Sequence, residues 1–215
     1  LDPGGIPMEI GVQVTGPDAK AVVDAVRQAE ELGIQCAWMT SGGAQPDPLT
    51  IFAAAAPQTD RINFGTAIIQ TWPRHPLALA QQAIAVDQLA PGRLRLGVGP
   101  SGSQIAQTFG IPFVRPQEHL REYLQVLRAA LNDGGVDFDG RRIAAHLRVG
   151  AKTGVQVMAS ALREKAFELC GEVASEGPQR LGHVVHGISG APAACSVAAV
   201  VMMIETAMTL ATKIP

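Results

Sequence analysis

The sequence alternates strand-like and helix-like segments from residue 10 to residue 174, and this alternation limits the possible folds more than any other feature. The strand-like runs are short and apolar, whereas the helix-like segments carry apolar residues at helical spacing. The predicted strands span 10–15, 34–40, 62–69, 93–97 and 155–158, and the predicted helices begin near residues 18, 49, 76, 117 and 161. Such repeated strand–helix units predict an α/β protein with a parallel sheet covered by helices.

Five units are followed by further Val-rich sequence, with a predicted strand at 181–189 and a predicted helix at 193–212. This favours a closed TIM-type (β/α)8 barrel over an open sheet. A complete barrel typically needs about 250 residues, whereas the chain has 215. The predicted barrel is therefore abbreviated or incomplete at its C-terminal end. Residues 8–215 are predicted to form this single domain, preceded by a disordered or vector-derived segment at 1–7. Because barrels carry their chemistry where strands end and helices begin, the segments 40–43, 67–75, 97–102 and 159–163 are the candidate sites.

Charge and composition argue against several classes of partner. The formal net charge of -2 provides no electrostatic footprint for nucleic acid or for an anionic membrane. The longest apolar stretch, 191–204, contains Pro192 and is shorter than the roughly 20 residues of a membrane-spanning helix. The three cysteines are far apart and form no CxxC pair, which argues against a zinc site. With no secretory signal at its start, the sequence predicts a cytoplasmic protein without metal, membrane or nucleic-acid partners.

The run Gly97–Gly102 has the spacing GxGxxG directly after a predicted strand. A dinucleotide fingerprint needs a helix that starts at once, and it normally opens its domain. Here Gly110 and Pro112 interrupt the following segment, and three strand–helix units come first. The pattern therefore favours a tight glycine loop at the top of a barrel over a nicotinamide site.

Two other patterns are weak as catalytic or metal signals. His183 and His186 are three residues apart in a predicted strand, where their side chains point to opposite faces, so metal ligation is not expected. The run Gly187–Ala191 departs from the GxSxG nucleophile elbow, because alanine stands where its last glycine is required.

Two polar residues at predicted helix starts leave alternatives open. Arg74 stands where the helix dipole favours anions, so it extends into solvent or is offset by an anionic ligand or an acidic side chain. Ser160 precedes a helix predicted to begin at Ala161, with Arg163 in its first turn. Ser160 is therefore either an ordinary N-cap or part of a phosphate site at the helix N-terminus.

An ordered set of short motifs resembles the luciferase-like monooxygenase superfamily. In chain order the motifs are Ala29-Glu30-Glu31-Leu32-Gly33, Ala37-Trp38-Met39-Thr40, Gly65-Thr66-Ala67-Ile68, Arg74-His75-Pro76, Leu79-Ala80, Gly92-Arg93-Leu94, Leu96-Gly97-Val98-Gly99, Phe109-Gly110, Glu122-Tyr123-Leu124, Gly140, Ala161-Leu162-Arg163-Glu164-Lys165 and Gly171-Glu172-Val173-Ala174. Together these motifs cover residues 8–175. Within the superfamily, the compact pattern is similar to the branch that uses the deazaflavin coenzyme F420.

The resemblance implies a TIM-type barrel, often a homodimer, with the deazaflavin in the mouth of the barrel. Some relatives have a non-prolyl cis peptide in a bulge of the third strand, against the deazaflavin ring, and motif alignment puts this bond at Ala67–Ile68. The residues implied to bind the cofactor are Ala67, Ile68, Ile69, Gln70, Arg74, Gly99, Ser101, Ser160, Ala161 and Leu162. Of these, the loop Gly99–Ser101 and the turn Ser160–Leu162 match segments that hold the cofactor's polar tail and phosphate.

The implied reaction is hydride transfer between the deazaflavin and a small organic substrate, with the protein supplying orientation and electrostatics. Catalytic residues stay unassigned. Relatives often carry Asp-His after the second strand, where this chain has Ser41-Gly42, and closer relatives place His where Gly102 stands. An FMN-dependent monooxygenase on the same barrel is the enzyme alternative, although a deazaflavin is a poor partner for oxygen. A shortened, non-catalytic flavin-binding barrel is the alternative from another class.

Overall fold

The computed structural model describes residues 11–42, 45–148, 150, 152–161, 164–175 and 182–184. The strands are β1 Gly11–Gln13, β2 Cys36–Met39, β3 Asn63–Thr66, β4 Ile69–Gln70, β5 Leu94–Gly99, β6 Gly135–Asp139, β7 Ala144–Arg148, β8 Gln156–Ser160 and β9 Gly182–Val184. The α-helices are α1 Ala19–Glu31, α2 Pro48–Ala55, α3 Pro76–Leu89, α4 Ser103–Thr108, α5 Pro116–Arg128 and α6 Glu164–Ser175. Every strand and helix predicted between residues 10 and 175 is present.

The main sheet is parallel, as the alternation predicts. Its strand order is β1-β2-β3-β5-β8-β9, and the short strand β4 also pairs with β5. The predicted third strand is thus divided in two, with the interruption at residues 67 and 68. Strands β6 and β7 form a separate antiparallel hairpin in which Gly135 faces Arg148 and Asp139 faces Ala144. The loop of this hairpin begins at Asp139-Gly140, a dipeptide that is typical of hairpin turns.

Local sequence signals explain where the first helices begin. The Asp18 carboxylate accepts a hydrogen bond from the backbone N–H of Ala21 at 2.8 Å, which caps α1. Asp47 caps α2 in the same way through Thr50, at 3.0 Å. Pro76 occupies the first position of α3, where its missing N–H costs nothing.

The two faces of the sheet are packed differently. One face packs against the helices, with side chains such as Phe64, Leu96 and Val98 fully buried. On the other face Trp38 forms a buried cluster with Cys36, Ala67 and Met158. Because neighbouring strands carry glycine beside the indole, the ring of Trp38 fits between them. A Cβ atom at Gly65 would lie 2.3 Å from this ring.

The structure departs from the sequence expectations at several places after β5. A short helix, α4, stands in a segment predicted as loop, and the predicted helix that begins near residue 117 ends in a π-helical segment, Ala129–Asp133. Strand β9 lies within the run predicted as strand at 181–189. The residues 1–7, Leu162, Arg163, His186, the run 187–191 and the predicted C-terminal helix at 193–212 lie outside the described residues.

Candidate functional site at the carboxyl ends of the strands

The interruption between β3 and β4 is a bulge at the carboxyl end of the sheet. The peptide bond between Ala67 and Ile68 is cis, at the position that the motif alignment gives. Ala67 is buried against Trp38, whereas Ile68 is partly exposed. The backbone then resumes pairing with β5, with Ile69 opposite Val98.

Ser41, the second residue after β2, holds this bulge in place. Its hydroxyl donates a hydrogen bond to the carbonyl oxygen of Ile68 at 3.0 Å and accepts one from the backbone N–H of Gln70 at 3.1 Å. The backbone N–H of Ser41 also donates to the Ile68 oxygen, at 3.1 Å. The side-chain amide of Gln70 in turn donates, through its Nε2 atom, to the Ser41 carbonyl at 3.0 Å. Ser41 stands where relatives often carry Asp. Its contacts with Ile68 and Gln70 give it a structural role that no local pattern in the sequence indicates.

Three of the expected site residues meet next to the bulge. A Cβ atom at Gly99 would lie 2.1 Å from the Ser160 Oγ and 2.6 Å from the Ile68 Cδ1. Gly99 therefore lets the bulge before β4 and the carboxyl ends of β5 and β8 approach each other. Ser160 is 9% exposed, and Ala161 after it is buried. Ile68, Gly99 and Ser160, together with Gln70, which pairs with Gly99, form one small, uncharged surface. We call these four residues the mouth surface.

Ser160 is not an ordinary N-cap. It is the last residue of β8, and the first described residue of the next helix is Glu164. Ala161, the residue after Ser160, is not helical, so Ser160 does not stand directly before the helix as the prediction had it. Of the other expected residues, Ser101 is exposed with a φ of 56°, and Ile69 points into the core between sheet and helices. Leu162 lies outside the described residues.

Arg74 is offset by an acidic side chain, which is one of the two explanations left open above. Its Nη2 atom lies 2.6 Å from the Oδ2 of Asp47. Burial acts to raise the pKa of Asp47, but hydrogen bonds from Arg74 and Thr50 outweigh it and hold that pKa below its ordinary value. The Arg74 Nη1 atom is buried and has no hydrogen-bond partner among the described residues.

A buried histidine that the sequence analysis did not single out lies beside the loop after β4. His119 of α5 stacks on Trp72 with ring centroids 4.0 Å apart, and its Nε2 atom lies 3.1 Å from the Thr71 Oγ1. Burial is the main cause that lowers the pKa of His119. The backbone N–H of Thr71 donates to the Gly99 carbonyl at 3.0 Å, which connects this cluster to the mouth surface. No local pattern reveals the pair, since its residues are 48 positions apart.

No group of three or more His, Cys, Asp or Glu side chains in the described part of the chain is arranged to hold a metal ion. None of the helices in that part combines the length and the apolar character that crossing a bilayer requires.

The parallel sheet covered by helices, with its bulge between β3 and β4 and an uncharged surface at its carboxyl ends, is an α/β architecture that agrees with the TIM-type barrel implied by the resemblance. The chain matches the family of luciferase-like monooxygenases over residues 4–176. It belongs to that family, as the ordered motifs indicate.

Individual relatives agree with this assignment. The chain is 32% identical over 152 residues to an F420-dependent glucose-6-phosphate dehydrogenase of Nocardia farcinica, which covers 62% of this chain and 45% of the relative. It thus spans less than half the length of that enzyme. The coenzyme F420-dependent tetrahydromethanopterin reductase of Methanopyrus kandleri shares the fold with a TM-score of 0.71 at 22% identity, over 83% of this chain and 55% of the reductase.

A third similar structure contains FMN. It is the oxygenating constituent of the 3,6-diketocamphane monooxygenase of Pseudomonas putida. It has a TM-score of 0.64 at 19% identity, over 83% of this chain and 66% of the monooxygenase.

Proposed function

We propose that the chain is part of a coenzyme F420-dependent oxidoreductase that transfers a hydride between the deazaflavin and a small organic substrate. The observation that carries the proposal is the meeting of Ile68, Gly99 and Ser160 at the carboxyl ends of three neighbouring strands. These are positions that the resemblance to the F420-dependent branch implies for cofactor contact. The relatives whose names state F420 dependence add support from the sequence side.

The residues at the mouth fit a flat, largely uncharged ring better than a charged group. Ile68 offers a partly exposed apolar side chain, while Gln70 and Ser160 offer neutral hydrogen-bonding groups nearby. A charged ligand would require a compensating charge at this surface. We infer that Ile68 packs against the ring and that Gln70 and Ser160 orient its polar edge.

The polar tail of the cofactor is assigned to the loops that follow β5 and β8. Ser101 is exposed at the end of the glycine loop, and Ala161 follows Ser160 toward α6. Arg74 and Leu162 complete the proposed set from the resemblance, although Asp47 already pairs with one nitrogen of Arg74. The bound deazaflavin would supply the hydride chemistry, and the protein would hold the ring and substrate in contact and keep water from the reacting face.

Dimerisation and a cytoplasmic location are also part of the proposal, because the resemblance implies the first and the sequence composition the second. A second candidate is an FMN-dependent monooxygenase on the same barrel. The FMN-containing structure from Pseudomonas putida favours it. A non-catalytic flavin-binding barrel is the remaining alternative.

Titration of the purified chain with coenzyme F420, in parallel with FMN, tests the proposal by fluorescence. Saturable micromolar binding of F420 and not FMN is the expected result. Ser160→Ala is expected to weaken F420 binding. The matched control is Ser103→Ala, at the exposed start of α4, which should leave F420 binding unaltered. Binding of FMN alone would support the monooxygenase. Binding of neither by the folded protein would refute both cofactor assignments for this chain.

Hydride transfer is tested separately from binding. Reduced or oxidised F420 is mixed with candidate alcohols, aldehydes and imines, and the visible absorption of the deazaflavin is followed. Turnover with any of them distinguishes the oxidoreductase from the non-catalytic barrel. Analytical ultracentrifugation over a concentration series tests the homodimer.

A further inference from the structure

Ser41 contacts the bulge on the side of β2, beyond the point where the β2–β3 ladder has ended. The β2–β3 ladder ends with Met39 opposite Thr66, and the N–H of Ala67 donates to the Met39 carbonyl at 2.8 Å. Beyond this point, β2 has no strand residues left to pair with the bulge. Ser41 continues the connection by its own backbone and by its side chain, with the distances given above.

The opposite side of the bulge is held by the sheet itself. Ile69 and Gln70 pair with Val98 and Gly99 of β5. The segment from Ile68 to Gln70 is therefore fixed by a β ladder on one side and by Ser41 on the other. Removing the Ser41 hydroxyl releases one side only, so the fold can survive while the bulge gains freedom.

The contacts demand a group that donates and accepts at the same time. The Ile68 carbonyl oxygen accepts from the Ser41 hydroxyl as well as from the Ser41 N–H, and the same hydroxyl is the acceptor for the Gln70 N–H. A hydroxyl does both, whereas a carboxylate only accepts and would put a negative charge against the Ile68 oxygen. The Asp that relatives often carry here cannot make this pair of contacts. The arrangement is therefore a property of this chain's own residue.

The glycine after Ser41 belongs to the same arrangement. A Cβ atom at Gly42 would lie 3.3 Å from the Nε2 of Gln70, the atom that donates to the Ser41 carbonyl. A side chain at position 42 would press on the Gln70 amide. The Ser41-Gly42 pair therefore sets the position of both the backbone and the side chain of Gln70.

We infer that Ser41 is a positioning residue, whose hydroxyl fixes Ile68 and Gln70 where the cofactor ring is to lie. This inference rests on the proposed function, because it assigns the bulge to ring binding. The contacts join protein atoms only, so their loss can also be measured in the ligand-free protein.

The test compares Ser41→Ala, Ser41→Thr and Ser41→Asp with the unaltered chain, and Ser103→Ala serves as the matched control. The first readout is hydrogen exchange of the Gln70 N–H in the ligand-free protein. We expect about tenfold faster exchange in S41A, in line with the loss of one hydrogen bond, and nearly unaltered exchange in S41T. S41D keeps an acceptor for the Gln70 N–H and loses only the donor to the Ile68 oxygen, so it is compared by affinity. The exchange of amides in the β1–β2 ladder reports whether the fold as a whole is intact.

The second readout is the Kd and the absorption spectrum of bound coenzyme F420. We expect the Kd to rise about tenfold in S41A and S41D, and S41T to restore most of the affinity. If S41A does not fold, S41D and S41T make the same comparison. Unaltered Gln70 exchange in S41A would overturn the inference, as would faster exchange with unaltered affinity and spectrum, since Ser41 would then be structural only.

Failure of the proposed function is distinguishable from failure of the inference. If the unaltered chain does not bind F420, the proposed function fails and the inference about the ring fails with it. If the unaltered chain binds F420 and S41A binds it equally well, the inference alone fails.

Discussion

Asp47 and Arg74 form an ion pair of 2.6 Å that joins the start of α2 to the loop before α3. Both side chains are three-quarters buried. Asp47 also caps α2 by accepting from the Thr50 N–H at 3.0 Å. One carboxylate thus compensates the buried guanidinium and satisfies a helix terminus, which explains how a cation is tolerated where the α3 dipole favours an anion.

Asp47→Ala is expected to lower the free energy of unfolding by about 2–3 kcal/mol, because it removes a helix cap and leaves Arg74 without its partner. The control is Asp18→Ala, which removes the cap of α1 and should cost only about 1 kcal/mol. Urea denaturation of both variants measures the difference. Equal losses in the two variants would show that the ion pair adds nothing beyond the cap.

Gly99→Ala is expected to damage the mouth surface. The added Cβ would lie 2.1 Å from the Ser160 Oγ and 2.6 Å from the Ile68 Cδ1, so at least one strand end has to move. Overpacking of this kind costs about 1–3 kcal/mol, and F420 binding should weaken with it. Gly154→Ala is the control, because Gly154 is exposed before the start of β8 and the atom nearest to its Cβ position, the Gly92 Cα, lies at an ordinary contact distance of 3.5 Å. A G99A protein with unaltered stability and affinity would contradict this packing.

The order of strands and helices was predictable because each element carries its own signal. Asp18 and Pro76 mark helix starts by their chemistry, and apolar runs mark the strands. The resemblance placed the bulge at Ala67, since a motif carries positional information that periodicity does not.

The contacts that shape the site were not predictable, because they join residues distant in the sequence. Ser41 reaches Ile68 across 27 positions, and His119 reaches Thr71 across 48. Neither pair has a local pattern. Ser160 shows the same limit at closer range: its neighbour Ala161 has good helix propensity, yet Ser160 pairs with Val184 of β9 and is the last residue of β8.

The contribution of His119 to the stability of the fold should decrease as the pH falls below about 6.5, the ordinary pKa of histidine. Burial lowers the pKa of His119 in the folded state, so the unfolded chain binds its proton first. The contribution is present above pH 6.5 and is lost as the pH falls toward the lowered folded pKa. Comparing the free energy of unfolding of the unaltered chain with that of His119→Gln isolates the contribution of His119.

The exposed His146 acts in the opposite direction. A hydrogen bond to Asp137 raises the pKa of His146, so its contribution is present at low pH and lost as the pH rises through the raised value. This term is common to both proteins in the comparison and cancels. The measurement is the free energy of unfolding by urea between pH 5 and pH 8. Parallel curves for the unaltered chain and H119Q would contradict the role assigned to His119.

Glu122 is expected to be structural, although it belongs to a motif shared with the family. Its carboxylate is 8% exposed and accepts three backbone N–H groups of the β6–β7 loop, from Arg141 at 3.0 Å, Arg142 at 2.8 Å and Ile143 at 2.9 Å. A glutamine offers one oxygen and places an NH2 group against these donors. Glu122→Gln should therefore cost about 2–3 kcal/mol, whereas Glu31→Gln on the exposed face of α1 should change stability by less than about 0.5 kcal/mol. Urea denaturation measures both, and faster exchange of the Arg142 and Ile143 amides in E122Q would locate the loss in the hairpin. If F420 affinity falls in E122Q without a loss of stability, Glu122 acts on the cofactor and not on the hairpin.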